Sequence, residues 1–235
     1  MKPRGWTAAA AATLALAACA AAPGGAVRQF GGMREVMRDG HTEARVRLAD
    51  LEFARDTIAV GALDGLRGEI TAASGTVWVA NAADGAFHAE PVTAATAATL
   101  LTIATPDLIV ARTCDAALDE ATLAALVRAT GLPLPATIDV EGDAATLALH
   151  VARGACPHGE ATPATEPWRW NAPAGTAVRL VGFVAPDREG VMTHHGTAFH
   201  LHAIARAGDG QVITGHVDSF ALQPGARVRI GGTTH

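Results

Sequence analysis

Two histidines one residue apart, inside the apolar run Phe199-His200-Leu201-His202-Ala203-Ile204, constrain this chain more than any other feature. Side chains alternate across a β-strand with period two, so His200 and His202 share one face. A turn built on Gly208-Asp209-Gly210 leads into a second apolar run, Gln211 to Val217, which carries Gly215-His216-Val217. A hairpin lays that run against the first and can bring His216 to the same face. Three convergent imidazoles are the donor set of a catalytic zinc site, with positions left for water or substrate. The alternative use of such histidines is as hydrogen-bonded core residues. Five of the ten histidines lie between 194 and 216, His194 and His195 among them.

The N-terminus reads as an address. Lys2 and Arg4 precede a short apolar segment, Thr7 to Ala18, too short to span a bilayer comfortably. It ends Leu16-Ala17-Ala18-Cys19, which resembles the lipobox of bacterial lipoproteins. That resemblance implies a signal peptide over 1–18, a lipid on Cys19 and a flexible tether over 19–32. The expected location is the periplasmic face of the cell envelope, and Ala20 after the cysteine points to the outer membrane. An ordinary signal peptide cleaved near Ala22 is the alternative. Cys114 and Cys156 then remain. In an oxidising compartment they are expected to pair, closing a loop that contributes about 3–4 kcal/mol by loop entropy; two unpaired buried thiols are the alternative.

Residues 33–235 are expected to form one domain, with 33–153 and 174–235 as two halves and 154–173 as an irregular crossing. A net charge of −5 and the lack of a basic run argue against a nucleic-acid partner. Met33 to Met37 reads as a short helix stopped by Gly40, and Leu48 to Phe53 as another short helical piece. From Thr57 the pattern is β: Ile58, Val60 and Ala62 alternate, and Glu69-Ile70-Thr71 and Val77-Trp78-Val79 flank a hairpin at Ser74-Gly75. Ala86 to Val92, Leu100 to Ile103 and Leu108 to Arg112 are further strands. One substantial helix starts at Asp119, carries Leu123, Leu126 and Val127 at helical spacing and stops at Gly131. Ile138 to Val140 and Thr146 to Val151 predict a second hairpin across Gly142-Asp143, and Val178 to Val184 and Arg227 to Ile230 complete the set. The fold class is α+β, strand-dominated, with two packed β-sheets and one substantial helix.

Several blocks together resemble the alpha-acetolactate decarboxylase family, zinc lyases that convert acetolactate to acetoin. They are the opening helix, Gly61-Ala62-Leu63-Asp64, Gly68-Glu69 and Gly75, followed in order by Leu180-Val181-Gly182-Phe183, Pro186, Gly190, His200-Leu201-His202 and Gly215-His216-Val217. The resemblance implies His200, His202 and His216 as zinc ligands and Glu69 as an acidic residue beside the metal. It also implies a small 2-hydroxy-3-keto acid as substrate, its carbonyl and hydroxyl oxygens bound by a Lewis acid, and an acid that delivers a proton to one face. Another divalent transition metal would accept the same ligands. A homodimer is compatible with the chain.

Two departures stand out. Where the family carries an active-site arginine, alignment of Ile138 to Gly142 places Asp139, an expected charge reversal that arginine at 139 would undo. No acidic residue follows Asp218, whereas the family has a glutamate near its C-terminus. Arg112, Arg153 and Arg179 are then the arginines left to meet an anionic substrate. A non-catalytic, metal-binding periplasmic lipoprotein on the same fold is the competing reading. A cupin-like barrel also carries a His-x-His pair, but the Gly68-Glu69 hairpin and the early helix argue against it.

Overall fold

The computed structural model describes residues 25–82, 84–154 and 165–233. Residues 1–18, Cys19 and Cys156 lie outside them, and with them the expected signal peptide, lipid site and bridge to Cys114. The N-terminal sheet contains β1 (Gly25–Phe30), β2 (Val46–Arg47), β3 (Ile58–Leu63), β4 (Glu69–Ala73), β5 (Thr76–Asn81), β6 (His88–Pro91) and β7 (Ala97–Thr105). The helix α1 (Met33–Met37) sits between β1 and β2. Spatial order is β1-β7-β3-β4-β5-β6, with β2 added on β7. Its central strands read as nearly continuous apolar runs because both faces are covered. Ala59, Ile70 and Leu101 pack on one side with Leu48 and Phe53. Ile58 and Val60 pack on the other, against the second sheet.

The second sheet contains β8 (Leu108–Cys114), β9 (Leu118–Asp119), β10 (Ala136–Val151), β11 (Trp168–Asn171), β12 (Ala177–Val184), β13 (Phe199–Arg206), β14 (Val212–Leu222) and β15 (Ala226–Gly232). The helix α2 (Glu120–Thr130) lies between β9 and β10. As expected, the Asp119 carboxylate caps it by accepting from the Thr122 amide at 2.8 Å, and Gly131 ends it with φ 67°. This sheet closes on itself: β10 pairs β12, β12 pairs β13, β13 pairs β14, and β14 returns to β10. The inside of the ring holds Ile138, Leu149, Leu180, Leu201 and Phe220, with Leu123 and Val127 of α2 packed into the same core. Its outside, at Val181 and Phe183, meets Ile58 and Val60 of the first sheet.

Closure depends on β10, which corrects the expected hairpin at Gly142-Asp143. Residues 136–151 are one strand, and the ladder to β12 runs unbroken through Gly142↔Val178 and Asp143↔Ala177. Along its other edge β15 pairs the first half and β14 the second. Gly142 is not a turn residue. A Cβ there would lie 3.1 Å from the Ala226 Cβ and 3.3 Å from the Leu222 Cδ1, so the glycine lets the β14–β15 corner close onto the strand.

Three other expectations change at their edges. Residues 25–30 of the expected tether form β1, an edge strand on β7. Part of the expected crossing is β11, paired with residues 148–151 of β10. The helical piece at Leu48 is a single 3-10 turn, Leu48–Asp50. The hairpins at Ser74-Gly75 and Gly208-Asp209-Gly210 form as expected. The first has φ 53° at Ser74 and 74° at Gly75, both positive as a tight hairpin turn requires.

Candidate metal centre

Register brings the histidines together. His202 pairs directly with His216, and His216 with His150 of β10. Directly opposed residues present their side chains on the same face, so these three form a row around the ring. His200 shares that face, two residues before His202. Their face is the outer one, turned toward the first sheet. Two glycines make the approach possible. Gly182 on β12 has φ 156°, and a Cβ there would collide with the His200 carbonyl oxygen. At Gly215 a Cβ would lie 2.5 Å from the His150 carbonyl oxygen, which accounts for the glycine of Gly215-His216-Val217.

His200, His202 and His216 each offer a nitrogen within 4.8 Å of the others', as the sequence predicts. His200 and His202 are buried and His216 is partly so. Burial, with the neighbouring histidines, holds all three imidazoles below their ordinary basicity, to about 3 at His200. Neutral imidazoles are the form a metal requires. Thr71 of β4 lies 2.9 Å from the His202 Nδ1 and accepts from the Thr214 hydroxyl at 2.9 Å. The opposite nitrogen, Nε2, is buried with no hydrogen-bond partner. A buried, unpartnered nitrogen among neutral imidazoles, with its other ring nitrogen held by a hydroxyl, is the pattern of a ligand set. The residues therefore fit a zinc ion.

Glu69 opens β4 beside them, buried, with its Oε2 3.7 Å from the His202 Nε2. Its Oε1 accepts from the Ala152 amide at 3.1 Å. Burial pushes its carboxyl up to about 8, outweighing that hydrogen bond, and the nearby Asp218 charge adds to the rise.

Glu69, His200 and His216 line a cavity of about 840 Å³ between the sheets, with His202 buried behind them. Met33, Val36 and Met37 of α1 supply apolar wall, together with Leu66 and Leu100; Arg153 lines it as well, and so does Arg38, which donates to the neighbouring Asp39 carboxylate at 2.8 Å. His194 enters it, its ring edge-on to His216 at 5.2 Å, whereas His195 turns toward Arg34.

Asp139 is the main correction to the expected site. It does not line this cavity. Arg179 donates to both its oxygens at 2.8 and 2.9 Å, and Arg229 adds a third contact at 3.3 Å. The charge is neutralised in a separate cleft that also holds Arg55 and Asp56. Because β10 is one continuous strand, the residue it brings to the histidines is His150, from its far end. Of the three arginines considered, Arg153 reaches the cavity; Arg179 is held by Asp139, and Arg112 faces another cleft. Sequence reasoning missed His150 and Arg38. For His150, alternation with Ala148 along the end of β10 was the available signal.

No family model and no curated protein matches this chain. Solved structures do. Alpha-acetolactate decarboxylase from Bacillus subtilis strain 168 aligns with a TM-score of 0.68 and 20% identity, over 88% of this chain and 86% of that one. The enzyme from Bacillus subtilis subspecies spizizenii gives 0.67 and 20%, over 88% and 86%. A Staphylococcus aureus protein of unknown function, similar to alpha-acetolactate decarboxylase, gives 0.65 and 16%, over 87% and 84%. At these identities what is shared is architecture: the chain has the acetolactate decarboxylase fold.

Proposed function

We propose that this protein is a zinc-dependent carboxy-lyase that decarboxylates acetolactate, or a closely related small 2-hydroxy-3-keto acid. The observation that carries the reading is the convergence of His200, His202 and His216 beside a buried carboxyl, Glu69, in a cavity with two arginines. His200, His202 and His216 would hold the ion, which when bound supplies a Lewis acid for the carbonyl and hydroxyl oxygens. Arg38 and Arg153 pair with the substrate's carboxylate. Met33, Val36, Leu66 and Leu100 pack against its alkyl groups and exclude water. When carbon dioxide leaves, the electron pair of the broken C–C bond stays on the substrate, and Glu69 supplies the proton to that carbon.

Purified zinc-loaded protein incubated with racemic acetolactate tests this. Acetoin and carbon dioxide in equal amounts are expected, with Glu69→Gln slowing turnover by about 10²–10⁴-fold while zinc stays bound. Zinc retention without acetoin would transfer the weight to a non-catalytic metal-binding protein on this fold. For location we propose lipidation at Cys19 and anchoring to the periplasmic face of the envelope, supported by Leu16-Ala17-Ala18-Cys19. No helix among the described residues is long and apolar enough to cross a membrane. Globomycin should leave the precursor unprocessed; normal processing would refute the anchor.

A further inference from the structure

His150 lines the cavity, and its ring lies 4.9 Å from that of His216. It is not one of the three histidines whose nitrogens converge. Its Nδ1 is 2.7 Å from the Asp218 Oδ1, and the other oxygen of that carboxylate accepts from the Arg169 Nη1 at 2.9 Å. A carboxylate that also takes the Arg169 bond offers acceptors only, so the His150 Nδ1 is the donor of this pair. With Nδ1 turned to Asp218, the nitrogen left for a ligand is Nε2, at the opposite edge of the ring, which carries the lone pair in the Nδ1–H tautomer. Arg38 and Arg153 offer donors only; beside the ligand histidines, His150 presents an acceptor, in a lining that also holds the Asp39 and Glu69 carboxyls. Such an acceptor recognises a hydroxyl, the one donor group of a 2-hydroxy acid.

We propose that His150 is a substrate-contacting residue whose Nε2 accepts the hydrogen bond of the 2-hydroxyl group, with Asp218 and Arg169 as positioning residues that hold its tautomer and orientation. The contact makes the site selective for acids that bear a 2-hydroxyl over those that lack it. This rests on the metal-site reading above but not on turnover, because its test uses ligands that do not react.

The two probes are 2-hydroxy-2-methylbutanoate and 2-methylbutanoate, which differ in the hydroxyl alone. Their affinities for zinc-loaded protein are measured by titration calorimetry, with zinc content determined on the same samples. Coordination of the hydroxyl by zinc is common to all variants, so the ratio of ratios isolates His150. The wild-type preference for the hydroxy acid is expected to exceed that of His150→Ala by about tenfold. His150→Gln, which keeps bulk and polarity, guards against a folding defect and should lie between the two. Asp218→Asn should lose most of the preference with zinc retained.

Preference unchanged within twofold in both His150 variants would overturn the proposal. So would loss of zinc in His150→Gln, since His150 would then be holding the metal. Wild-type protein that binds neither acid, or both equally, also overturns it. A wild type that shows the preference yet yields no acetoin from acetolactate refutes the lyase and leaves this contact standing.

Discussion

Glu69 offers a test in which the magnitude follows from the fold. Its carboxyl, ordinarily near 4.5, is raised to about 8 by burial between the sheets. At neutral pH the folded chain must hold a proton there that the unfolded chain releases. Each pH unit between the two values costs about 1.4 kcal/mol, so the penalty is roughly 3 kcal/mol at pH 7 and about 5 kcal/mol above pH 8. Glu69→Gln cannot ionise and keeps an oxygen for the Ala152 amide, so it removes the penalty. For a domain of this size that corresponds to a Tm raised by roughly 6–12 °C at pH 7. The sign differs between groups. A carboxyl raised on folding contributes stability that is present below 4.5 and lost as pH rises through about 8. The buried histidines, depressed on folding, contribute stability that is present above about 6.5 and lost as pH falls toward about 3, the His200 value. Metal-free wild-type protein should therefore soften between pH 6.5 and 8, where Glu69→Gln should be flat; in acid both should soften. Thermal melts of chelator-dialysed protein across pH 4–9 make the measurement. Parallel profiles for the two proteins, or a variant less stable than wild type at pH 8, would refute the buried-acid reasoning.

Three further outcomes are expected. Asp139→Asn strips the partner from the buried face of Arg179 and should cost about 3–5 kcal/mol in a denaturant melt without changing zinc content. Asp139→Arg should be worse and should not raise activity, because position 139 faces Arg179 and Arg229 rather than the site. Arg153→Gln should raise the KM for an acidic substrate by about 10–100-fold with a smaller change in kcat, read from steady-state rates. Gly215→Ala should destabilise by about 1–3 kcal/mol and weaken zinc binding, since a methyl there pushes β14 off the His150 carbonyl.

The candidate ligands were legible because they obey a local rule. His200 and His202 alternate within one strand, and His216 follows across a glycine turn that sets the register. The helices α1 and α2 and the Ser74-Gly75 hairpin were legible for the same reason, whereas Glu69 came from the resemblance to the acetolactate decarboxylase family. What escaped notice depends on long-range closure. Gly142-Asp143 has the composition of a turn, yet the chain runs straight through it, because two sets of partners pair the two halves of β10. That misreading put Asp139 in the site and hid His150. Arg38 lines the cavity from the residue after α1, more than 160 residues before His200, and no short-range pattern announces it. Gly25 to Phe30 lacks the alternation of a strand, and its pairing with β7 alone gives it one.

The most direct test of the central claim is the zinc content of purified protein and of His200→Ala, His202→Ala and His216→Ala. About one zinc per chain is expected in the wild type, with a sharp loss in each variant and a fold preserved by circular dichroism. Unchanged zinc in His202→Ala, whose Nε2 is buried without a hydrogen-bond partner, would contradict the metal centre and the chemistry built on it.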